Sequence, residues 1–300
     1  MAARPKIAFL GIGLMGKPMA TRLLAAGYAL TAWNRSRAKA EALTALGASI
    51  AASPAQAAGD ADIVITMLDA GPVVADVMRQ ALPGLRPGTL VVDMSSTRQA
   101  EAQQMHGWLV QHGIRFLDAP VSGGVRGAEA GELAIMAGGT QADFDQAEPI
   151  LRAMGRATLV GSAGCGQLAK LCNQLIVGGT INIVAEALLL ARAGGADPAA
   201  VRAAIRGGFA ESRILEVHGQ RMLERNFVPG GQVKTQLKDM ENILSAASNA
   251  GLHLPLTELV EQRYRSIVNG LPQADHAAAL LALEQMNPGK RLGDAPDTLP

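Results

Sequence analysis

The chain has 300 residues, enough for one large domain or two ordinary ones with a full apolar core. Aromatic residues make up only 3%, against 34 glycines, which suits close-packed helices better than a β-sandwich. A formal net charge of +1 excludes a broad electrostatic attraction to nucleic acid or anionic membrane, while leaving room for a local anion site.

Strand-like apolar runs are predicted at 7–10, 30–33, 63–68, 89–94 and 115–117, with shorter ones at 133–137 and 157–160. Helical patterns fill most of the intervals, at 15–26, 38–46, 73–82 and 100–111. That alternation is the βαβ rhythm of a doubly wound parallel sheet. Ser53-Pro54 and Gly71-Pro72 can open helices, Arg86-Pro87-Gly88 reads as a turn, and Thr140 reads as an N-cap with Asp143 three residues on. Strand signals stop near residue 160, and 167–287 read as helices broken by Gly and Pro, with Asp197-Pro198 capping one of them. The most apolar stretch, 175–193, holds Asn182, Glu186 and Arg192, so it reads as a core helix rather than a membrane span.

The predicted architecture is an α/β N-terminal domain over 1–162, a Rossmann-like doubly wound sheet, plus an all-α C-terminal domain over 163–287. A long helix carrying Lys170 joins them. The Pro-, Gly- and charge-rich segment 288–300 is predicted to be a loose tail. The chain starts almost directly with a strand, unlike a signal peptide. Cys165 and Cys172 lie seven apart on one predicted helix, about 10 Å at the helical rise and too far to bridge. Free thiols and a cytoplasmic location are expected.

Gly11-Ile12-Gly13-Leu14-Met15-Gly16 follows a strand and opens a helix, the context in which G-x-G-x-x-G binds a dinucleotide pyrophosphate. At the end of the second strand stands Asn34-Arg35-Ser36-Arg37. No carboxylate is present there for a ribose 2′-hydroxyl, and Arg35 can pair with a 2′-phosphate, so NADP(H) is favoured over NAD(H). Taken alone, the two arginines also fit a solvated loop.

Asp118-Ala119-Pro120-Val121-Ser122-Gly123-Gly124 follows a strand, and Ser122, Gly123 and Gly124 offer N–H groups and a hydroxyl suited to a carboxylate. An ordinary turn has the same spacing. A hydrolase elbow is excluded because position 120 is Pro. Lys170 and Asn173 share one helical face with Gly166, which leaves room for a ligand. A lysine in a dry cleft can act as a general acid; a lysine snorkelling from a helix start fits the local pattern equally. The five histidines are scattered and no metal motif appears, so no metal is expected. Lys238-Asp239 reads locally as a solvated helix face.

Together these motifs resemble those of the β-hydroxyacid dehydrogenase family, which includes 3-hydroxyisobutyrate dehydrogenase and tartronate semialdehyde (2-hydroxy-3-oxopropionate) reductase. The resemblance runs from residue 6 to about 287. It rests on the fingerprint at 11–16, on 118–124 with Gly127, Gly131 and Ile135-Met136-Ala137-Gly138-Gly139, on 164–173, and on Lys238-Asp239-Met240. It implies Lys170 as the catalytic acid/base and Ser122, Gly123, Gly124 and Asn173 as substrate ligands. It further implies Met67, Leu68 and Ser96 lining the cofactor, Lys238 closing over it, and a helical domain that builds a homodimer or homotetramer.

The implied activity is NADP(H)-dependent interconversion of a short β-hydroxy acid and its semialdehyde or keto acid, with a small anionic substrate and neither nucleic acid nor membrane as partner. Asn173-Gln174-Leu175-Ile176-Val177 resembles the tartronate semialdehyde reductase branch, with a 3-hydroxyisobutyrate dehydrogenase beside it. A glyoxylate or succinic semialdehyde reductase, an imine reductase, and a non-catalytic cofactor-binding interaction module follow as alternatives. Imine reductases usually lack the lysine that this chain has at 170. Gly131-Glu132-Leu133, Leu68-Asp69-Ala70-Gly71 and Arg126 depart from the usual family pattern and leave the substrate open.

Overall fold

The computed structural model describes residues 4–300. The chain divides into two compact units, Met1–Lys170 and Leu171–Pro300. The first opens with β1 (Ile7–Leu10), α1 (Gly16–Ala25), β2 (Leu30–Trp33), α2 (Arg37–Glu41), β3 (Ser49–Ile50), α3 (Pro54–Ala58), β4 (Ile63–Thr66) and α4 (Gly71–Ala81). It continues through β5 (Leu90–Asp93), α5 (Gln99–Val110), β6 (Arg115–Asp118), β7 (Val121–Ser122), α6 (Gly124–Ala130), β8 (Leu133–Gly138), α7 (Gln141–Leu151) and β9 (Gly155–Gly161). Helix α8 (Cys165–Ala193) begins in this unit.

The sheet order is β3-β2-β1-β4-β5-β6-β8-β7, with β9 on β8. The first six strands are parallel, pairing Ile7 with both Leu30 and Ile63, and Leu90 with both Ile63 and Arg115. Strands buried on both faces read as near-continuous apolar runs, as β1, β4 and β5 do, with the buried polar residues Thr66 and Asp93 only at the carboxyl ends of β4 and β5. Ile7, Phe9, Ile65 and Val92 build the core on one face, and Ala8, Leu10, Val64 and Val91 the core on the other. The strand order reverses between β1 and β4, so a crevice opens beyond their carboxyl ends, where this fold binds ligands.

The doubly wound Rossmann-like sheet and helical C-terminal half are present as the sequence indicates. The expected caps form: Ser53, Thr140 and Asp197 each accept an N–H from the first turn of the helix they precede. Three elements were not foreseen. β3 and β7 are two residues long, too short for a period to register, and α6 lies in a glycine-rich stretch that reads as loop. The helix predicted at 38–46 is α2 followed by a 3-10 turn at Thr44–Leu46, ended by Gly47 at φ 92°.

The second unit is helical: the rest of α8, then α9 (Pro198–Ala204), α10 (Arg213–Leu223), α11 (Val233–Asn249), α12 (Pro255–Val268) and α13 (Ala279–Met286). By length and composition α8 could cross a membrane. One of its faces nonetheless supplies Ile181, Val184, Ala185 and Leu188 to the core of this unit, and its Glu186 pairs with Arg263 of α12.

Two boundaries differ from expectation. The division falls after Lys170 rather than at 162, because the first turns of α8 are bonded to strand ends of the sheet. The segment 288–300 is fastened rather than loose. Arg225, only 1% exposed, donates two hydrogen bonds of 2.8 Å to Glu284 and a third to Asp297. Leu292 is buried, and Thr298 exchanges backbone hydrogen bonds with Arg225 and Phe227. The sequence hid this strap because its partners lie tens of residues apart.

Candidate active site

The glycine loop between β1 and α1 has the geometry a dinucleotide needs. A Cβ on Gly11, at φ 110°, would stand 2.3 Å from the Met67 carbonyl oxygen, and one on Gly16 would stand 1.9 Å from that of Gly11. Both glycines exist for close backbone packing. Gly13 differs: nothing lies within 4 Å of where its Cβ would be, so its backbone faces open space that a pyrophosphate can enter. Asn34 steadies the loop, accepting the Ile12 N–H at 2.9 Å and donating to the Ser36 carbonyl at 2.9 Å.

Gly11, Gly13, Asn34, Arg35, Ser36 and Met67 line one groove of about 450 Å³, together with Leu68. Lys39, in the first turn of α2, lines it too. Sequence reading passed over Lys39; its place in the first turn after Ser36 was the available signal. Arg37 is taken by Glu41 at 2.7 Å, whereas no ion pair to Arg35 or Lys39 is found among the described residues. Ile12, Leu14 and Lys17 lie on the other side of the loop, where Leu14 is 84% exposed. These residues fit a dinucleotide.

Beyond the strand ends runs a connected set of polar groups. Leu68 N–H donates to Ser95 Oγ at 2.9 Å, and Thr66 Oγ1 donates to Asp93 at 2.7 Å. Burial pushes the Asp93 carboxyl up to about 6, against the hydrogen bonds from Ser95 and Thr66. At the end of β6, Asp118 accepts the N–H groups of Gly164 at 2.7 Å and Gln167 at 2.8 Å. Its burial raises its pKa as well, with those N–H groups pulling the other way. Asp118 thus caps α8 from another strand, holding the start of the helix that carries Lys170. The Gln167 side chain, 1% exposed, bonds the loop containing Ser96.

Ser122 ends β7, Gly123 is the N-cap of α6 at φ 137°, and Gly124 is its first residue. Gly123 and Gly124 are exposed, so the predicted turn is a strand-to-helix junction at the surface. Lys170 is half-buried at the end of the first unit, and Asn173 follows one helical turn later. In the second unit Asn173 donates to Gln174 at 2.8 Å, and Gln174 donates to Asp239 at 2.7 Å. Lys238 pairs with the same Asp239 at 3.3 Å. The structure therefore ties Lys238 to Asn173 through Gln174 and Asp239, a link that the local pattern of a solvated face does not show.

One cluster among the described residues has metal-like spacing: ligand atoms of His218, Asp275 and His276 lie within 4.8 Å of one another. Asp275 already accepts N–H groups from Gly230, Gly231 and Ala277, and Arg221 stands 3.8 Å away. That is the bonding of a loop anchor.

Two family models match the chain. Residues 6–166 match the NAD binding domain of 6-phosphogluconate dehydrogenase, and residues 164–283 match the NAD-binding domain of NADP-dependent 3-hydroxyisobutyrate dehydrogenase. The chain is 40% identical over 286 residues to 2-hydroxy-3-oxopropionate reductase of Escherichia coli (strain K12), covering 94% of this chain and 98% of that protein. It is 33% identical over 287 residues to 2-(hydroxymethyl)glutarate dehydrogenase of Eubacterium barkeri, covering 94% and 95%. Among solved structures, Mycobacterium tuberculosis 3-hydroxyisobutyrate dehydrogenase with L-serine superposes with a TM-score of 0.86 at 31% identity, covering 94% of this chain and 99% of that one.

Proposed function

The chain belongs to the β-hydroxyacid dehydrogenase family and is an NAD(P)-dependent oxidoreductase, and from that premise we propose that it uses NADPH to reduce a short semialdehyde acid, tartronate semialdehyde first among them. The observation that carries this reading is the fastening of the Lys170 helix to the end of β6 through Asp118 and to the loop after β5 through Gln167, a loop whose Ser95 in turn accepts the N–H of Leu68 in the cofactor groove. A proton donor on that frame is fixed relative to the dinucleotide loop. The 40% identity to the E. coli reductase supports the choice of substrate.

The cofactor, when bound, supplies the hydride to the carbonyl carbon. Lys170 gives its proton to the carbonyl oxygen as negative charge develops there, an interaction strongest in the transition state. Ser122 and the N–H groups of Gly123 and Gly124 hold the substrate carboxylate, with Asn173 beside them. Met67, Leu68 and Ser96 line the cofactor, and Lys238 closes over it. Arg35, Ser36 and Lys39 take the 2′-phosphate; the missing carboxylate at the end of β2 and two cations without an ion-pair partner among the described residues support NADPH over NADH.

The exposed stripe Ile176, Ile183 and Leu190 on α8, spaced at two turns, supports a homodimer or homotetramer, which light scattering tests. The unpaired cysteines support a cytoplasmic location, which fractionation tests.

The deciding experiment follows NADPH oxidation with tartronate semialdehyde, glyoxylate, succinic semialdehyde and methylmalonate semialdehyde, with NADH alongside. Tartronate semialdehyde is expected to lead, and NADPH to exceed NADH by about tenfold or more in kcat/KM, the worth of one charge-assisted contact. Lys170→Ala is expected to lower kcat by about 10²- to 10⁴-fold with NADPH binding intact. Equal rates with NADH overturn the reading of Arg35 and Lys39, and near-normal turnover by Lys170→Ala overturns the mechanism.

A further inference from the structure

The peptide groups on either side of Ser96 are both held by one side chain. Gln167 lies in the first turn of α8 and is 1% exposed. Its Nε2 donates to the Ser95 carbonyl at 2.8 Å, and its Oε1 accepts the Thr97 N–H at 3.0 Å. Ser95 and Thr97 are themselves buried, while Ser96 between them is not. The backbone N–H of the same Gln167 donates to Asp118 at 2.8 Å. Lys170 stands three residues on, a neighbour on the same face of the helix.

We propose that Gln167 is a positioning residue whose carboxamide locks the Ser95–Thr97 loop to the first turn of α8, so that Ser96 on the cofactor side and Lys170 at the reacting carbonyl are held in one register. The inference rests on the reading of Lys170 as the acid and of Ser96 as a cofactor-side residue. The chemistry of the side chain is specific. Only a group that donates from one end and accepts at the other satisfies both peptides. A methionine fills the space and leaves both unpaired. An ionised glutamate accepts from Thr97 but opposes the Ser95 oxygen. A protonated glutamate again donates and accepts, as the amide does.

The test uses the full chain as wild type, Gln167→Met, Gln167→Glu and Lys170→Ala. In the protein without cofactor, hydrogen exchange at the Thr97 amide is expected to quicken about tenfold or more in Gln167→Met, with β1 unchanged. With NADPH and tartronate semialdehyde, Gln167→Met is expected to lose about 10²-fold in kcat, the scale of a misplacement near 1 Å, while its NADPH dissociation constant stays within about threefold. The kcat of Gln167→Glu relative to wild type is expected to climb as pH falls, and that of Gln167→Met to stay flat.

Unchanged Thr97 exchange, or wild-type kcat in Gln167→Met, overturns the proposal. So does joint loss of cofactor binding and folding in both Gln167 variants, which marks a packing role. If Lys170→Ala retains turnover, the underlying mechanism falls and the positioning role with it. If Lys170→Ala is inactive and Gln167→Met is normal, only the positioning role falls.

Discussion

At the scale of single residues, the three fingerprint glycines do different work, and substitution separates them. Gly13→Ala adds a methyl into open space, so the fold is expected to keep its thermal midpoint within a few degrees while NADPH binding weakens by about tenfold or more, because the pyrophosphate loses its close approach. Gly16→Ala puts its methyl 1.9 Å from the Gly11 oxygen and is expected to lower the midpoint itself, through a loss of about 1–3 kcal/mol of stability by overpacking. Differential scanning calorimetry with a cofactor titration checks both, and a Gly13→Ala protein that binds NADPH normally sinks the distinction. The pattern G-x-G-x-x-G was legible in the sequence. Which glycine packs and which stays open was not, since that depends on Met67 and on the loop's own return path.

At the scale of elements, long-range bonds decide what the sequence left as tail or loop. Arg225 is buried and its charge is matched by Glu284 of α13 and Asp297 of the final segment. Glu284→Gln is expected to cost about 1.5–3 kcal/mol in urea unfolding, since it weakens the paired charge-assisted hydrogen bonds to a buried guanidinium while Asp297 keeps its counter-charge. Asp297→Asn is expected to cost less, because Asp297 is 31% exposed where Glu284 is 11% exposed. Equal losses from the two changes contradict this ranking. The helix α8 was legible from its apolar run. Its anchoring through Asp118, 46 and 49 residues before the amides it accepts, was not. Local pattern carries no information about a cap supplied by another strand.

At the scale of the whole molecule, two buried groups titrate in opposite senses. Asp93 has its pKa raised to about 6 by burial, so its contribution is fully present below the unfolded value near 3.8 and is lost as pH rises through 6. His276 has its pKa lowered to about 4, first by burial and then by His218, with Asp275 opposing. Its contribution is present above the unfolded value near 6.5 and is lost as pH falls through 4. Each is worth about 3 kcal/mol at 1.36 kcal/mol per pK unit.

Asp93 lies in the first unit and His276 in the second. Both tryptophans, Trp33 and Trp108, lie in the first unit, so tryptophan fluorescence follows it alone. The urea midpoint by fluorescence is expected to fall between pH 4 and 6.5, with Asp118 acting in the same direction, and Asp93→Asn is expected to remove most of that fall. His276→Asn is expected to remove the acid-side weakening of the second unit, seen by helical circular dichroism. A fluorescence midpoint that rises over this range contradicts the role of Asp93.

The sequence by itself determined the class of the molecule: an apolar run, a glycine turn and a helix start are local, and local periodicity and turn chemistry are enough to specify a βαβ sheet and its dinucleotide loop. It also singled out Lys170, because a charged residue at the start of an apolar helix stands out without any structure. Tertiary structure alone decided how Lys170 is held, by Asp118 and Gln167, and that Lys39 joins Arg35 at the cofactor groove. It alone decided that the last residues are strapped to Arg225 and that Asp93 and His276 are buried enough to titrate away from their ordinary range. Those outcomes depend on which distant groups share a low-dielectric space, and pairing across dozens of residues is set by packing rather than by any repeat in the chain.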